Sequence, residues 1–263
     1  MQTKVKLSKR VVSLATALVT GLSAVGVTGI PGGVFGTLSA SAEDGHNYVN
    51  GFCDDKDCTS PYEEPAVDGN GTYQIANAGN LYWFAEQVND GNANLNAALT
   101  TDIVVNEGNL ANYDGTSENT WREWTPIAAD YGRYKGTFDG QGHTISGLYF
   151  NDSSAECIGI VGDLGRGGVI QNVGLENSYF HVYQYTAGIC GYNSGTIRNC
   201  YNAGTVIGEF IIIGGIVGAF EVGTVSNCYN TGNITGKSDV GGVCGNNMMR
   251  SNTIENCYNT GNI

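Results

Sequence analysis

The side chains best placed to do chemistry recur in a four-residue block, Asn-Cys-Tyr-Asn, that appears three times toward the C-terminal end. Each block supplies one aromatic ring, and successive rings are 28 and 29 residues apart. Regularly spaced tyrosines can bind a chain-like glycan, because each ring combines apolar faces with a polar hydroxyl group. This candidate binding column consists of Tyr201, Tyr229 and Tyr258. The alternative is that these rings cover a corner of the protein core.

The eight cysteines have the chemistry to form disulfides or to bind a metal ion. Cys200, Cys228 and Cys257 hold the same place in successive blocks. Side chains stacked in register point the same way, which suits the disulfide torsion poorly, so we expect three buried, reduced thiols. Cys53 and Cys58 are the disulfide candidate. A metal site there is the alternative, although two thiolates without a nearby histidine are an incomplete ligand set.

Groups suited to catalysis are present, but not in arrangements typical of an active site. The three histidines include no His-Glu-x-x-His motif, and we interpret Asp139 and His143 as parts of a turn. Glycoside hydrolases place two carboxyl groups on either side of the bond they cleave, whereas the acidic residues of the repeats occupy different places in the repeat. These residues are Glu176, Glu209, Glu221, Asp239 and Glu255. We therefore predict no catalytic residue, no metal site and no cofactor.

A second repeated block indicates the architecture. Gly-apolar-any-Gly begins at Gly159, Gly188, Gly215 and Gly242, with spacings of 29, 27 and 27 residues. Two independent blocks that share a period of about 28 residues indicate a solenoid, in which each coil buries its apolar residues against the next. The stretches between the blocks are short and rich in β-branched residues, without a helical period. The sequence predicts an all-β parallel β-helix with three short strands per coil.

Alternation along the predicted strands identifies the interior. The aligned apolar positions that we expect to be buried are Ile170, Ile197, Val225 and Ile254. Strict alternation would then turn the first asparagine of each block inward and the cysteine outward. We expect instead that these asparagines lie at a corner that resets the alternation, since asparagine tolerates left-handed backbone geometry and its amide can hydrogen-bond to the next coil. This corner ladder consists of Asn172, Asn199, Asn227 and Asn256, and the tyrosines then face outward.

The two blocks together resemble the GLUG motif family, whose repeats occur in secreted and surface proteins of bacteria, including non-catalytic regions of some immunoglobulin A proteases. The segment 138–148, Phe-Asp-Gly-Gln-Gly-His-Thr-Ile-Ser-Gly-Leu, resembles the strand-and-turn segment that precedes such repeats in right-handed β-helix proteins. The resemblance covers residues 136–263. It implies a right-handed parallel β-helix outside the cell or on its surface, and the family has no shared catalytic residues to carry over.

The N-terminal residues predict export. Lys4, Lys6, Lys9 and Arg10 precede a long uncharged stretch, and the Ala-Ser-Ala that ends at Ala42 fits a signal-peptidase site. We interpret residues 1–42 as a signal peptide, with an uncleaved anchor as the alternative because the stretch is long enough to span a membrane. Cleavage changes the net charge from −13 to −17, which disfavours nucleic acid and anionic lipid as partners. We expect no membrane insertion after cleavage.

Three regions follow the signal. Residues 43–71 form an exposed lead-in, and residues 72–135 contain an N-terminal cap and the first coils, with a small separate domain as the alternative. A short amphipathic helix, with Asn80 as its N-cap and Asp90-Gly91 after its end, would cover the open end of the stack. Its apolar face consists of Leu81, Phe84, Ala85 and Val88. Residues 136–263 are the repeats; the chain stops inside a strand, so we expect the rest of a longer chain or another subunit to cover the last coil.

These patterns favour a non-catalytic module of a secreted or cell-surface protein that serves in adhesion or binds a glycan or a protein of a host or cell surface. The support is the repetition, the signal peptide and the absence of clustered acids or bases on the coils. The alternative is a polysaccharide lyase or glycoside hydrolase on the same scaffold, whose remaining active-site residues would lie in a missing C-terminal part.

Overall fold

The computed structural model describes residues 47–55 and 57–263. The predicted signal peptide, residues 1–42, lies outside the described residues. Within them, short strands stack in parallel into five sheets that surround one apolar core. Sheet 1 has eight strands, of which the first pairs antiparallel, so the solenoid has about seven turns. The β-helix predicted from the repeats is confirmed, with the predicted period of about 28 residues per coil.

The strands of the five sheets, in chain order within each sheet, have the following bounds. Sheet 1 contains Ala66–Val67, Thr72–Ile75, Asn96–Leu99, Thr137–Asp139, Val169–Gln171, Thr196–Arg198, Thr224–Ser226 and Thr253–Glu255. Sheet 2 contains Ile103–Val104, Thr144–Ser146, Gly174–Glu176, Tyr201–Asn202, Tyr229–Asn230 and Tyr258–Asn259. Sheet 3 contains Tyr149–Glu156, Tyr179–Gln184, Thr205–Gly208 and Ile234–Thr235. Sheet 4 contains Thr186–Ala187, Ile211–Gly214 and Ser238–Gly241, and sheet 5 contains Val161–Leu164, Cys190–Asn193, Val217–Phe220 and Cys244–Asn247.

A complete coil crosses five sheets, not the three strands predicted from the sequence. The coil that begins at Cys190 passes through sheets 5, 1, 2, 3 and 4 before it reaches Val217. The prediction assigned corners only to glycine and asparagine. Tyr185 and Ile212 also adopt left-handed backbone geometry, with φ of 54° and 65°, and they add a corner that their residue types do not suggest.

The two repeated blocks contact each other inside the coil, which explains why both recur. A Cβ on Gly188 would lie 2.4 Å from the Cγ atom of Asn202, so that position must lack a side chain. The same conflict recurs one coil later, where a Cβ on Gly215 would lie 2.5 Å from the Cγ atom of Asn230. The first glycine of one block therefore makes room for the last asparagine of the other.

The N-terminal helix spans Ala78–Asn89 and packs its apolar face on the first coils. Phe84 lies 6.2 Å, ring centroid to centroid, from both Tyr134 and Phe138. The predicted N-cap was wrong by one turn: Asn77 caps the helix and accepts a hydrogen bond from the Asn80 backbone N–H, while the Asn80 side chain accepts one from the Ala76 N–H. Asn80 is buried and Asn77 is half-buried, so the apolar period alone did not separate the cap from the first turn.

The described part of the lead-in, residues 47–55 and 57–71, folds onto the helix. Tyr48–Val49 and Phe52–Cys53 form an antiparallel hairpin. The Phe52 ring packs edge-on against Tyr62 and Tyr82, at 6.0 and 5.2 Å between ring centroids. The first parallel strand is Thr72–Ile75, which precedes the helix, and a short 3₁₀ helix spans Leu110–Asn112. Within the described chain, no helix has both the length and the apolar character needed to cross a membrane.

Candidate binding surfaces

The tyrosine column runs along sheet 2, where Tyr201, Tyr229 and Tyr258 occupy paired positions on successive coils. Ring centroids are 5.0 and 5.1 Å apart, and the ring planes differ by 6° and 4°. The rings are partly exposed in the first two coils and exposed at Tyr258. Because each face lies against the next ring, the column presents ring edges and hydroxyl groups to solvent; among the described residues, only the outer face of Tyr258 is left uncovered.

At its N-terminal end, the tyrosine column stops over a glycine. A Cβ on Gly174 would lie 2.3 Å from the Tyr201 ring, so this ring leans across the preceding coil. The Tyr201 hydroxyl donates a hydrogen bond to a Glu176 carboxylate oxygen. Burial, together with the nearby Glu176 carboxylate, raises the pKa of the Tyr201 hydroxyl well above its usual value. The hydroxyl therefore stays protonated at neutral pH and remains a hydrogen-bond donor.

The first asparagines of the blocks lie at an exposed corner between sheets 1 and 2. Asn199, Asn227 and Asn256 adopt φ of 55°, 53° and 52°. Asn199 Nδ2 donates to Asn172 Oδ1 at 2.9 Å, and the next two links of the ladder measure 3.3 and 3.2 Å. Left-handed geometry at this corner brings the following cysteine inward.

A second asparagine ladder, which sequence reasoning missed, lies inside the solenoid. Asn202 Nδ2 donates to Asn230 Oδ1, and Asn230 Nδ2 donates to Asn259 Oδ1, both at 2.7 Å. The same amides also bond to the backbone two residues later, as when Asn230 Nδ2 donates to the Gly232 carbonyl oxygen at 2.9 Å. The sequence pattern that could have predicted this ladder is Asn-x-Gly, present at each of the three positions. This pattern is typical of an asparagine side chain that bonds to its own turn.

The cysteines after the corner point into the core. Cys200 and Cys228 are buried, Cys257 on the last coil is half-buried, and all three are thiols. Burial raises the pKa of the Cys200 thiol, so it stays protonated and unreactive. The Cys58 side chain interacts with Cys53, and desolvation is the main cause of its raised pKa. The disulfide between Cys53 and Cys58 stays a prediction.

The two described histidines, His143 and His181, each contact an acidic side chain of another segment. His181 lies between two coils: its Nε2 atom is 2.7 Å from a Glu209 carboxylate oxygen and its Nδ1 atom is 2.8 Å from Asn151 Oδ1. Both ring nitrogens are thus occupied, so neither is placed to take a proton from a substrate. The hydrogen bond between His181 and Glu209 is the main cause of the lowered pKa of Glu209. His143 is 3.2 Å from Asp102, not bonded to Asp139; His46 lies outside the described residues.

The acidic side chains of the repeats are dispersed over different sheets. Glu176 bonds to Tyr201 on sheet 2, Glu209 bonds to His181 beside sheet 3, and Glu221 accepts a hydrogen bond from Ser194 at 2.7 Å. Within residues 47–55 and 57–263, no three His, Cys, Asp or Glu side chains lie close enough together to hold a metal ion.

One carboxyl group is buried without full compensation. The Asp163 side chain on sheet 5 is 2% exposed, and its Oδ2 atom makes no hydrogen bond to the described residues. Arg133 Nε lies 3.8 Å from that oxygen. Burial raises the pKa of Asp163 to about 6, and the positive charge of Arg133 only partly opposes the shift.

Comparison with known proteins gives a motif and two relatives. Residues 183–207 match the GLUG motif. Over 113 residues, 41% of this chain and 1% of the relative, the sequence is 35% identical to halomucin of Haloquadratum walsbyi. Over 79 residues, 29% of this chain and 9% of the relative, it is 32% identical to a candidate Gly-rich membrane protein of Evansella cellulosilytica. The chain thus spans less than a tenth of the length of either curated relative.

Among solved structures, a candidate immunoglobulin A1 protease from Bacteroides ovatus is similar over 75% of this chain and 77% of its own, with 20% identity and a TM-score of 0.47. The match to residues 183–207 begins at Tyr183 in sheet 3 and ends at Ile207 in the same sheet, one coil later. The resemblance predicted from the two repeated blocks is confirmed by this match and by the fold: the chain is a β-helix that carries a GLUG motif at residues 183–207.

Proposed function

We propose that this chain is a non-catalytic binding module of a secreted or cell-surface protein and that its partner is a glycan. The observation that carries the proposal is the tyrosine column, which presents a row of aromatic edges and hydroxyl groups at the spacing of the coils. The names of the two relatives, halomucin and a Gly-rich membrane protein, support a location at the cell surface.

The geometry of the column favours one mode of contact over another. Ring faces stacked on one another are not available to a sugar along most of the column, so the hydroxyl groups and ring edges make the contact. Glu176, which accepts from Tyr201, adds an acceptor at one end. A partner rich in hydroxyl groups both donates and accepts hydrogen bonds, and it matches a row of phenol hydroxyl groups.

Two triple variants test the proposal. Replacing Tyr201, Tyr229 and Tyr258 with Ser removes rings and ring-borne hydroxyl groups, and we expect loss of binding on a glycan array with a melting temperature within a few degrees of wild type. Replacing the same residues with Phe keeps the stack but removes the hydroxyl groups, and we expect binding to weaken at least tenfold. Unchanged binding by the Ser variant would contradict the proposal. A large loss of stability in the Ser variant would instead assign the rings to the core.

The proposed location outside the cell or on its surface is tested separately. If residues 1–42 are a signal peptide, the exported protein should begin at Glu43. Mass spectrometry of the protein recovered from the culture medium measures its N-terminus. Full-length protein retained in the membrane fraction would favour the uncleaved anchor.

A further inference from the structure

A polar cleft of about 370 Å³ lies on the outer face of sheet 1, near its N-terminal end. Its cause is a single small residue. Gln74, Ala98 and Asp139 occupy paired positions on three successive coils of the sheet. Ala98 has a methyl group where its two neighbours have larger polar side chains, and it is buried. The missing side chain leaves a hollow whose floor is Ala98.

The walls of the cleft hold polar groups in fixed positions. Asp68 Oδ1 accepts hydrogen bonds from the backbone N–H groups of Asn70 and Thr72, at 2.8 and 2.9 Å. Asn96 Oδ1 accepts from the Thr137 N–H at 2.8 Å. These bonds orient each side chain but use only one of its polar atoms. Ligand sites of this kind place a few fixed polar groups around a concave surface.

Asp139 is fixed even more firmly. Its Oδ1 atom accepts from the Gln141 N–H and from Asn172 Nδ2, both at 2.9 Å, and its Oδ2 atom accepts from Gln171 Nε2 at 2.6 Å. The side chain therefore cannot rotate away from the cleft without the loss of three hydrogen bonds. Rigid polar walls reduce the ordering cost of binding a small ligand.

The unused atoms of the cleft include both donors and acceptors. Among the described residues, none hydrogen-bonds to Asp68 Oδ2, to Asn96 Nδ2 or to the hydroxyl groups of Thr72 and Thr137. A carboxylate oxygen accepts, an amide nitrogen donates, and a threonine hydroxyl does both. Alternating hydroxyl groups, which also do both, are complementary to such a set.

We propose that this cleft binds a neutral saccharide, an inference that rests on the proposed glycan binding and names a second site and a ligand class for it. The lining contains two carboxylates and neither lysine nor arginine, so an anionic sugar is repelled. An apolar ligand is disfavoured as well, because it would displace water from the polar walls without replacing the hydrogen bonds of that water.

In this cleft, Asp68 serves as a hydrogen-bond acceptor. Cleavage of a glycosidic bond requires one carboxyl group with a raised pKa to act as an acid. The pKa of Asp68 is instead lowered, chiefly by the hydrogen bond from the Thr72 backbone N–H. Asp68 is thus a carboxylate at neutral pH and accepts hydrogen bonds from sugar hydroxyl groups.

Two variants of the full chain test the site. Ala98→Gln fills the hollow with the side chain that stands at the paired position, Gln74, and Thr137→Val removes one hydroxyl group at nearly constant volume. The matched control is Thr224→Val, on the same sheet three coils farther along. The probes are glucose, mannose, galactose, xylose and their short oligomers, with glucuronic acid as the anionic control, each titrated by amide chemical shifts with and without EDTA.

We expect neutral sugars to shift the amide signals of residues 96–98 and 137–141. Ala98→Gln should weaken this binding at least tenfold and Thr137→Val severalfold. Thr224→Val should leave it unchanged. The triple Tyr→Ser variant should keep these amide shifts at residues 96–98 and 137–141, although it loses the binding measured on the glycan array. Sugar-induced shifts of residues 96–98 and 137–141 that persist in Ala98→Gln would overturn this inference and leave the proposed function standing. Preference for glucuronic acid, or binding abolished by EDTA, would overturn it in favour of a cation-bridged site. If no saccharide binds anywhere, both proposals fail.

Discussion

The inward column of sheet 2 changes its chemistry halfway along the solenoid. In the N-terminal coils it consists of Ile103, Ile145 and Leu175, and in the C-terminal coils the same column consists of Asn202, Asn230 and Asn259. The aliphatic residues fill volume, whereas the asparagines form a ladder of 2.7 Å hydrogen bonds along the axis. The cysteine column changes at the same coil, from Val173 to Cys200.

The difference explains where the sequence repeats and where it does not. An amide ladder works only when every coil supplies the same side chain with the same geometry, since each amide bonds to the one above and the one below. An aliphatic column needs only a total volume, so leucine and isoleucine replace each other from coil to coil. Strict repetition in this sequence thus marks the hydrogen-bonded ladders. Coils that are packed by volume alone are harder to detect from the sequence, because their residues vary from coil to coil.

The largest expected effect comes from moving an asparagine into the aliphatic half. Ile145 is fully buried between Ile103 and Leu175. Ile145→Asn loses buried apolar volume and leaves an amide without partners, so we expect about 4 kcal/mol of lost stability in urea denaturation. Leu175→Asn is the matched control, because Asn202 lies next to it and can accept a hydrogen bond. Equal losses for the two variants would show that an adjacent ladder gives an asparagine no advantage.

Breaking the ladder itself should cost somewhat less. Asn230 is fully buried and bonds to Asn202, Asn259 and the Gly232 carbonyl oxygen. Asn230→Ala leaves buried partners unpaired and should lower the free energy of unfolding by about 3 kcal/mol. Asn227→Ala in the exposed ladder, where water replaces the lost bond, should cost about 1 kcal/mol, mostly from left-handed backbone strain. Similar costs would mean that burial does not distinguish the two ladders.

Asp163, in the N-terminal coils, contrasts with the buried asparagine ladder. It is a buried polar group whose Oδ2 atom has no hydrogen-bond donor among the described residues. Its folded-state pKa of about 6 is raised above the usual value of 3.8. The stability that Asp163 contributes is therefore fully present below pH 4 and is lost as the pH rises through about 6. Asp163→Asn should match wild type at pH 4 and exceed it by about 2 kcal/mol at pH 7 in urea denaturation. A difference that does not change with pH would show that burial does not perturb this carboxyl group.

Several features of the solenoid were predictable from the sequence, namely its period, its parallel stacking and its capping helix. The apolar positions of sheet 1 follow from alternation, and Ile170, Ile197 and Val225 are all fully buried. Ile254 is 39% exposed because the described chain has no coil beyond it. The period shows which residues align but not which way each side chain points, so the buried role of Asn202 was missed.

The two candidate sites, the tyrosine column and the cleft on sheet 1, also differ in whether their residues repeat along the sequence. The tyrosine column was visible because it repeats, although its face-to-face stacking was not predictable from spacing alone. The cleft on sheet 1 depends on one residue, Ala98, that breaks the pattern of its column, and on side chains from coils without a strict repeat. Only the register of the strands brings Gln74 and Asp139 to either side of it. A site made by an exception to a repeat leaves no signal in a search for the repeat.

The smallest expected effect comes from returning a C-terminal position to its N-terminal form. Cys200 follows Val173 in the same inward column, and both are buried. Cys200→Val introduces the side chain that the previous coil already accommodates, so the change in stability should be within about 1 kcal/mol. Thiol titration of the denatured, non-reduced wild type should also detect Cys200, Cys228 and Cys257 as free thiols. A loss of 3 kcal/mol or more on Cys200→Val, or blocked thiols in the wild type, would show that the sulfur atoms form a ladder as specific as that of the buried asparagines.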